Sequence, residues 1–93
     1  MNIIKAELAH HKKEILAFWK RTSPYDTELD EKFAWMYENN PAGVAHVWLA
    51  IDDQLEVVGM SALFPRRFRV EGTIFLGGIM GDLLVDRRHR NII

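Results

Sequence analysis

Ile79-Met80-Gly81-Asp82-Leu83-Leu84-Val85-Asp86-Arg87-Arg88-His89-Arg90-Asn91 decides the fold of this 93-residue chain. It begins as an apolar strand and turns basic within one step. Leu83, Leu84 and Val85 carry no charge, and five of the next six residues are ionisable. A strand that runs into arginines sets cations at its carboxyl end, where open sheets commonly hold anionic ligands.

The rest of the chain forms the frame around that strand. Its length suits one domain, residues 1–93, with a modest core. The hydrophobic fraction of 48% and the charged fraction of 27% are those of an ordinary globular protein. No apolar run approaches the roughly 20 residues of a membrane span. Met1-Asn2-Ile3-Ile4-Lys5 lacks the layout of a signal peptide. There is no cysteine, hence no disulfide, thiolate nucleophile or Cys-type zinc site. These features fit a cytoplasmic protein.

The net charge of -1 hides an asymmetry. Residues 1–63 hold six Lys and Arg against ten Asp and Glu; residues 64–93 hold six Arg against three. Arginine forks suit phosphate and carboxylate, so the C-terminal third is read as facing an anionic partner. Arg66, Arg67 and Arg69 fit that role or, equally, the solvation of a hairpin edge.

Taken in order, residues 2–7 make a short first strand or the lead-in to a helix. Leu8, Ile15, Leu16, Phe18 and Trp19 then share a helical face, and Ser23-Pro24 ends it. Thr27-Glu28-Leu29-Asp30 resembles a capping box that opens a second helix from Asp26 or Thr27. Leu29, Phe33, Met36 and Tyr37 are its buried stripe. Asn39-Asn40-Pro41-Ala42-Gly43 is a stop and a turn. From Val44 the period falls to two, and both sets of alternating residues are largely apolar, which predicts a strand covered on both faces. Asp52-Asp53-Gln54 turns the chain into a return strand, Leu55 to Leu63. Phe64-Pro65 is expected to interrupt the pairing or mark an edge or bulge. Glu71-Gly72 is a second turn, and Thr73 to Val85 is the last strand. Gly77, Gly78 and Gly81 predict a bulge or a close approach within it. The fold class is therefore α+β: a short strand, two helices and an antiparallel meander.

That order, together with two stretches, resembles the N-terminal half of the GNAT family of acyl-CoA N-acyltransferases. Leu83-Leu84-Val85-Asp86-Arg87-Arg88-His89-Arg90 looks like the family's central strand and phosphate-loop entry, with Arg90 in the place of its arginine. Leu49 to Gly59 looks like its second and third strands. The resemblance implies acetyl-CoA as co-substrate and an amine as acceptor. It implies that the pantetheine arm pairs with the backbone of Leu83, Leu84 and Val85. It also implies that Arg88, Arg90 and Asn91 belong to the pyrophosphate loop, where backbone N–H groups and a helix dipole favour anions. Asp82 is implied as a general base or as the group that orients one, since burial on an apolar strand disfavours its charge. A hydrogen bond to backbone or to an arginine is the other reading of Asp82. The pattern departs from the family at Asn91, where Gly is usual; the Gly-rich turn and its helix are missing. The 93-residue chain is accordingly expected to be catalytically silent. It is also expected to dimerise or self-associate through its exposed last strand.

Other residues carry less. His46 on an apolar strand reads as packing. Glu7, His10, His11 and Glu14 share a helix face at metal-ligand spacing, but a solvated surface is the plainer reading, and no metal is assigned. Trp19, Trp35 and Trp48 are read as core, and His89 as packing of the loop. Phe64 and Phe68 among Arg66, Arg67 and Arg69 have the look of an RNA surface, yet the acidic balance argues against nucleic acid. Two function classes stay open: an N-acyltransferase represented by its N-terminal part, and a small non-enzymatic module that binds an anionic partner.

Overall fold

The computed structural model describes residues 1–22 and 28–86. Strand β1 (Asn2–Lys5) leads into helix α1 (Leu8–Thr22). Helix α2 (Leu29–Lys32) continues as a π-helical turn, Phe33–Glu38. Strands β2 (His46–Ile51), β3 (Val57–Val70) and β4 (Thr73–Val85) follow. The four strands form one sheet in the order β1-β2-β3-β4, with every neighbour antiparallel. The expected α+β order holds, and Asn2–Lys5 resolves as a strand. The described second helix begins at Leu29, and its N-cap residue Glu28 is left-handed (φ 60°) with no side-chain cap bond, so no capping box is seen among the described residues; Ser23-Pro24, Asp26 and Thr27 lie outside them.

Both helices pack on one face of the sheet. Ile15, Phe18 and Trp19 of α1 meet Leu29, Phe33 and Tyr37 of the second helix over Val47, Leu49, Met60 and Ala62. The two helical stripes expected from spacing are thus the buried ones. The Phe33 and Tyr37 rings stack with centroids 5.1 Å apart, and Trp19 meets Tyr37 edge-on at 5.1 Å. Trp19 Nε1 donates to Met60 Sδ, which gives the buried indole the partner it needs.

The structure corrects three expectations. First, β2 is not covered on both faces: Val47 and Leu49 are buried, whereas His46, Trp48 and Ala50 are half-exposed, because both helices occupy the same side. Second, of the alternatives at Phe64-Pro65 the edge holds and the interruption does not: pairing to β2 ends at Leu63, while β3 stays paired to β4 with Pro65 opposite Gly78. β2 leaves β3 at Leu63, and Asn40 Nδ2 donates to the Pro65 carbonyl (3.2 Å) on the vacated side. The missing N–H points the same way, so the ladder to β4 loses nothing. Third, of the three tryptophans expected in the core only Trp19 lies there: Trp48 is half-exposed on β2, and Trp35 is not core either. It lies two residues behind Tyr37, off the buried stripe, and is 78% exposed.

The turns fall where the sequence places them, but the Asp52-Asp53-Gln54 turn runs on through Glu56, with Leu55 at φ 63°, so β3 begins at Val57 and not at Leu55. Asp52 Oδ1 accepts from the backbone N–H groups of Gln54 and Glu56 (both 2.9 Å). Asn40 Oδ1 accepts from Ala42 N (3.0 Å). Glu71 and Gly72 both have positive φ, 49° and 80°, the geometry of a tight two-residue hairpin. Beyond β2 the β3–β4 hairpin projects as an arm, and residues 66–80 are all exposed. This arm lengthens the molecule to 48 Å against 28 and 24 Å.

Candidate functional site

The decisive irregularity sits where the arm joins the body. Met60 pairs with Leu84 and Ala62 with Gly81, so Ser61 faces two residues, Asp82 and Leu83. This is a β-bulge, one residue beyond the glycine that hinted at it. Such an insertion re-aims a side chain. Asp82 takes φ 49°, a left-handed conformation that Asp tolerates better than most residues. Phe64 lies flat against Gly81, where an added Cβ would stand 3.0 Å from its ring.

The bulge turns the Asp82 carboxylate toward the helices. Tyr37 Oη donates to Oδ2 at 2.5 Å, and Lys32 Nζ stands 3.3 Å from Oδ1. The π-helical turn carries Tyr37, and its hydroxyl is the polar end of an otherwise apolar stripe. Burial, then the bond to Asp82 and the carboxylate's negative charge, push that hydroxyl well above its ordinary value of 10.0. Tyr37 therefore remains a donor to Asp82. The Lys32 ammonium also lies over the Trp19 ring, 4.9 Å from its centroid. Asp82 thus has two side-chain partners, a tyrosine and a lysine, where the plainer reading expected backbone or arginine.

Asp82 also borders a cavity of about 540 Å³ between the end of the second helix and the near face of the arm. Trp35, Met36, Phe64 and Met80 give it apolar walls, and Asn39, Asn40 and Arg66 line it with polar groups. Sequence reading missed Tyr37, Lys32, Trp35 and the two asparagines as site residues. The available signals were a tyrosine hydroxyl on a buried stripe, which requires a partner, and a tryptophan off that stripe.

Leu83 is 75% exposed, while Leu84 packs against the core and Val85 pairs with Gly59. Among the described residues no strand pairs with the outer edge of β4. At the strand's end the Asp86 carboxylate is buried, and Arg21 Nε stands 3.7 Å from it. Arg21 also donates to the Val57 carbonyl at 2.7 Å, which ties α1 to the end of the sheet. Arg88, Arg90, Asn91 and His89 lie outside the described residues.

The remaining candidates stay apart from this site. His46 stacks near Trp48, with centroids 6.4 Å apart. His11 Nδ1 accepts from Glu7 N at the start of α1. Among the described residues no three His, Asp or Glu gather to hold a metal ion. No described helix is long and apolar enough to cross a membrane. Phe64 is buried and does not pair with the exposed Arg67 and Arg69 as a stacking surface.

No protein-family model and no curated protein matches the chain. Two solved structures share its fold. Aminoglycoside antibiotic 6'-N-acetyltransferase AAC(6')-Ih from Acinetobacter baumannii aligns with a TM-score of 0.64 at 16% identity over 98% of this chain. A GNAT-family acetyltransferase from Staphylococcus aureus Mu50 aligns with a TM-score of 0.52 at 21% identity, also over 98%. The chain spans 60% and 56% of the length of those two proteins.

Proposed function

From a chain with the fold of the first part of a GNAT acetyltransferase, we propose an acyl-CoA-dependent N-acyltransferase represented by its N-terminal part. The observation that carries this reading is the bulge in β4. It turns one carboxylate, Asp82, toward Tyr37 and Lys32 at the border of a cavity. Acetyl-CoA supplies an activated acyl carbon. Leu83, Leu84 and Val85 are the strand residues along which an extended pantetheine arm would run, since it needs donors and acceptors in a row. Arg88, Arg90 and Asn91 hold the pyrophosphate. Asp82 receives or orients the proton that the acceptor amine gives up as its nitrogen bonds to the acyl carbon and the carbon–sulfur bond breaks. Tyr37 keeps the carboxylate in place. We place the protein in the cytoplasm, in keeping with the absence of cysteine.

Calorimetry with acetyl-CoA tests the reading on two samples, the 93-residue chain and the longest product of its reading frame. The shorter chain is expected to bind weakly or not at all and to turn over no amine. The longer one, with a Gly-rich turn and a helix after Ile93, is expected to bind saturably and to lose affinity on Arg90→Ala, less so at high salt. No binding by either sample overturns the proposal. A stop codon directly after Ile93 favours the second reading, a non-enzymatic module that meets an anionic partner. That reading draws on Arg66, Arg67 and Arg69, all exposed on the arm.

A further inference from the structure

The cavity beside Asp82 has opposite charges at its two ends. Asp82 sits at the base of the arm, next to Gly81, which pairs with Ala62. Arg66 lines the same cavity four residues farther along β3, about 13 Å at the rise of a strand. Their side chains close part of that gap. Trp35, Met36 and Phe64 form the apolar stretch between them, and Asn39 adds a polar group. A primary ammonium already rests on the carboxylate, that of Lys32, whose side chain is 31% exposed.

We propose that this cavity binds a zwitterionic primary amine, its ammonium on Asp82 in exchange for Lys32 and its carboxylate at Arg66. An apolar body spans the walls between the two charges. The acceptor of the proposed transfer is then an amine of the amino-acid type, with the amine and carboxylate at opposite ends. This inference rests on the N-acyltransferase reading for its role as acceptor site. The binding itself needs no acetyl-CoA, because the lining residues are all within the described part of the chain.

Three probes test it by calorimetry on the 93-residue chain: 6-aminohexanoate, hexylamine and hexanoate. The first has both charges and each of the others has one. Saturable binding of 6-aminohexanoate is expected, with each singly charged probe at least tenfold weaker. Arg66→Gln, an exposed substitution, is expected to bring 6-aminohexanoate down to the affinity of hexylamine. Lys32→Gln is expected to tighten 6-aminohexanoate several-fold, because the competing ammonium is gone. Equal affinities for the three probes overturn the proposal, as does an absence of saturation into the millimolar range. Unchanged or weakened binding in Lys32→Gln overturns the exchange. Acetyl transfer is read separately, as thiol release by the longer chain. Zwitterion binding without transfer sinks the enzyme reading alone, and transfer to amines that do not discriminate among the probes sinks this inference alone.

Discussion

The two ends of β3 are built from the same kinds of residue and live in different surroundings. Val57, Val58, Met60, Ala62 and Phe64 are buried under the helices or within the sheet. Phe68 and Val70, with Ile74, Phe75, Leu76, Ile79 and Met80 across the hairpin, are 41–71% exposed. The pairing to β4 continues through both. What changes is the company: β2 and both helices stop near Leu63. Backbone pairing and a few cross-strand contacts, such as Phe68 over Gly77, hold the arm, whereas side-chain burial under the helices holds the body. A lone two-stranded ribbon is marginal in water, so the arm leans on the body or on whatever covers it.

The largest test of this contrast is a pair of truncations. Phe33→Ala is expected to cost ~3–5 kcal/mol, a large part of the ~5–15 kcal/mol that holds a domain together. Leu76→Ala is expected to stay within about 0.5 kcal/mol, as at other exposed sites. Urea denaturation of both variants, at concentrations below those at which the chain associates, decides it, and a costly Leu76→Ala there shows that the arm packs on the body of its own chain.

Tyr37 gives the next effect. Its hydroxyl ionises near its ordinary value of 10.0 in the unfolded chain and well above it in the folded one. Below pH 10 both states keep the proton and stability is full. Above it the unfolded state binds fewer protons, and stability falls by about 1.4 kcal/mol per pH unit. Tyr37→Phe is expected to abolish that alkaline slope while lowering stability at neutral pH through the loss of the bond to Asp82. A slope that survives the substitution assigns it to another group.

Association probes the arm from outside. The exposed apolar residues and the open edge of β4 are expected to drive dimer formation, and Ile74→Ser with Leu76→Ser to weaken it about tenfold, or ~1.4 kcal/mol. Sedimentation across the micromolar range reads the outcome. A well-folded monomer of the parent chain throughout that range refutes the expectation.

The smallest effect lies at the tip. Gly72 has φ 80° and open space around it, so Gly72→Ala meets only the backbone penalty of roughly 1–2 kcal/mol. The arm is weakly coupled to the body, so the thermal midpoint is expected to move less than this penalty alone suggests. A full-sized drop shows instead that the arm and body melt together.

The parts of this fold that announce themselves in sequence are those governed by a local period or a local turn. The stripe Leu29, Phe33, Tyr37 and the last strand, Thr73 to Val85, are of this kind, and Glu71-Gly72 is a turn for which only a few conformations exist. Position within the sheet is not local. The burial of one face of β2 depended on where two distant helices settled, and Pro65 was harmless only because β2 ends before it. The site shows the same division. Asp82 stood out as a carboxylate on an apolar strand. Lys32 and Tyr37, 50 and 45 residues away along the chain, did not. No pattern of spacing carries a contact between a helix face and a bulge in another element.

Pro65 has one more consequence, for fibril growth. A bare strand edge is a template onto which further copies can zip, one donor and one acceptor at a time. The side of β3 that β2 vacates looks like such an edge, but at Pro65 it has no N–H to offer, and the carbonyl there is already taken by Asn40. An incoming strand would meet a gap in the row at the point where pairing must begin. Pro65 is a gap in that side of β3, and the outer edges of β1 and β4 remain as the sheet edges at which copies of this chain can add to one another.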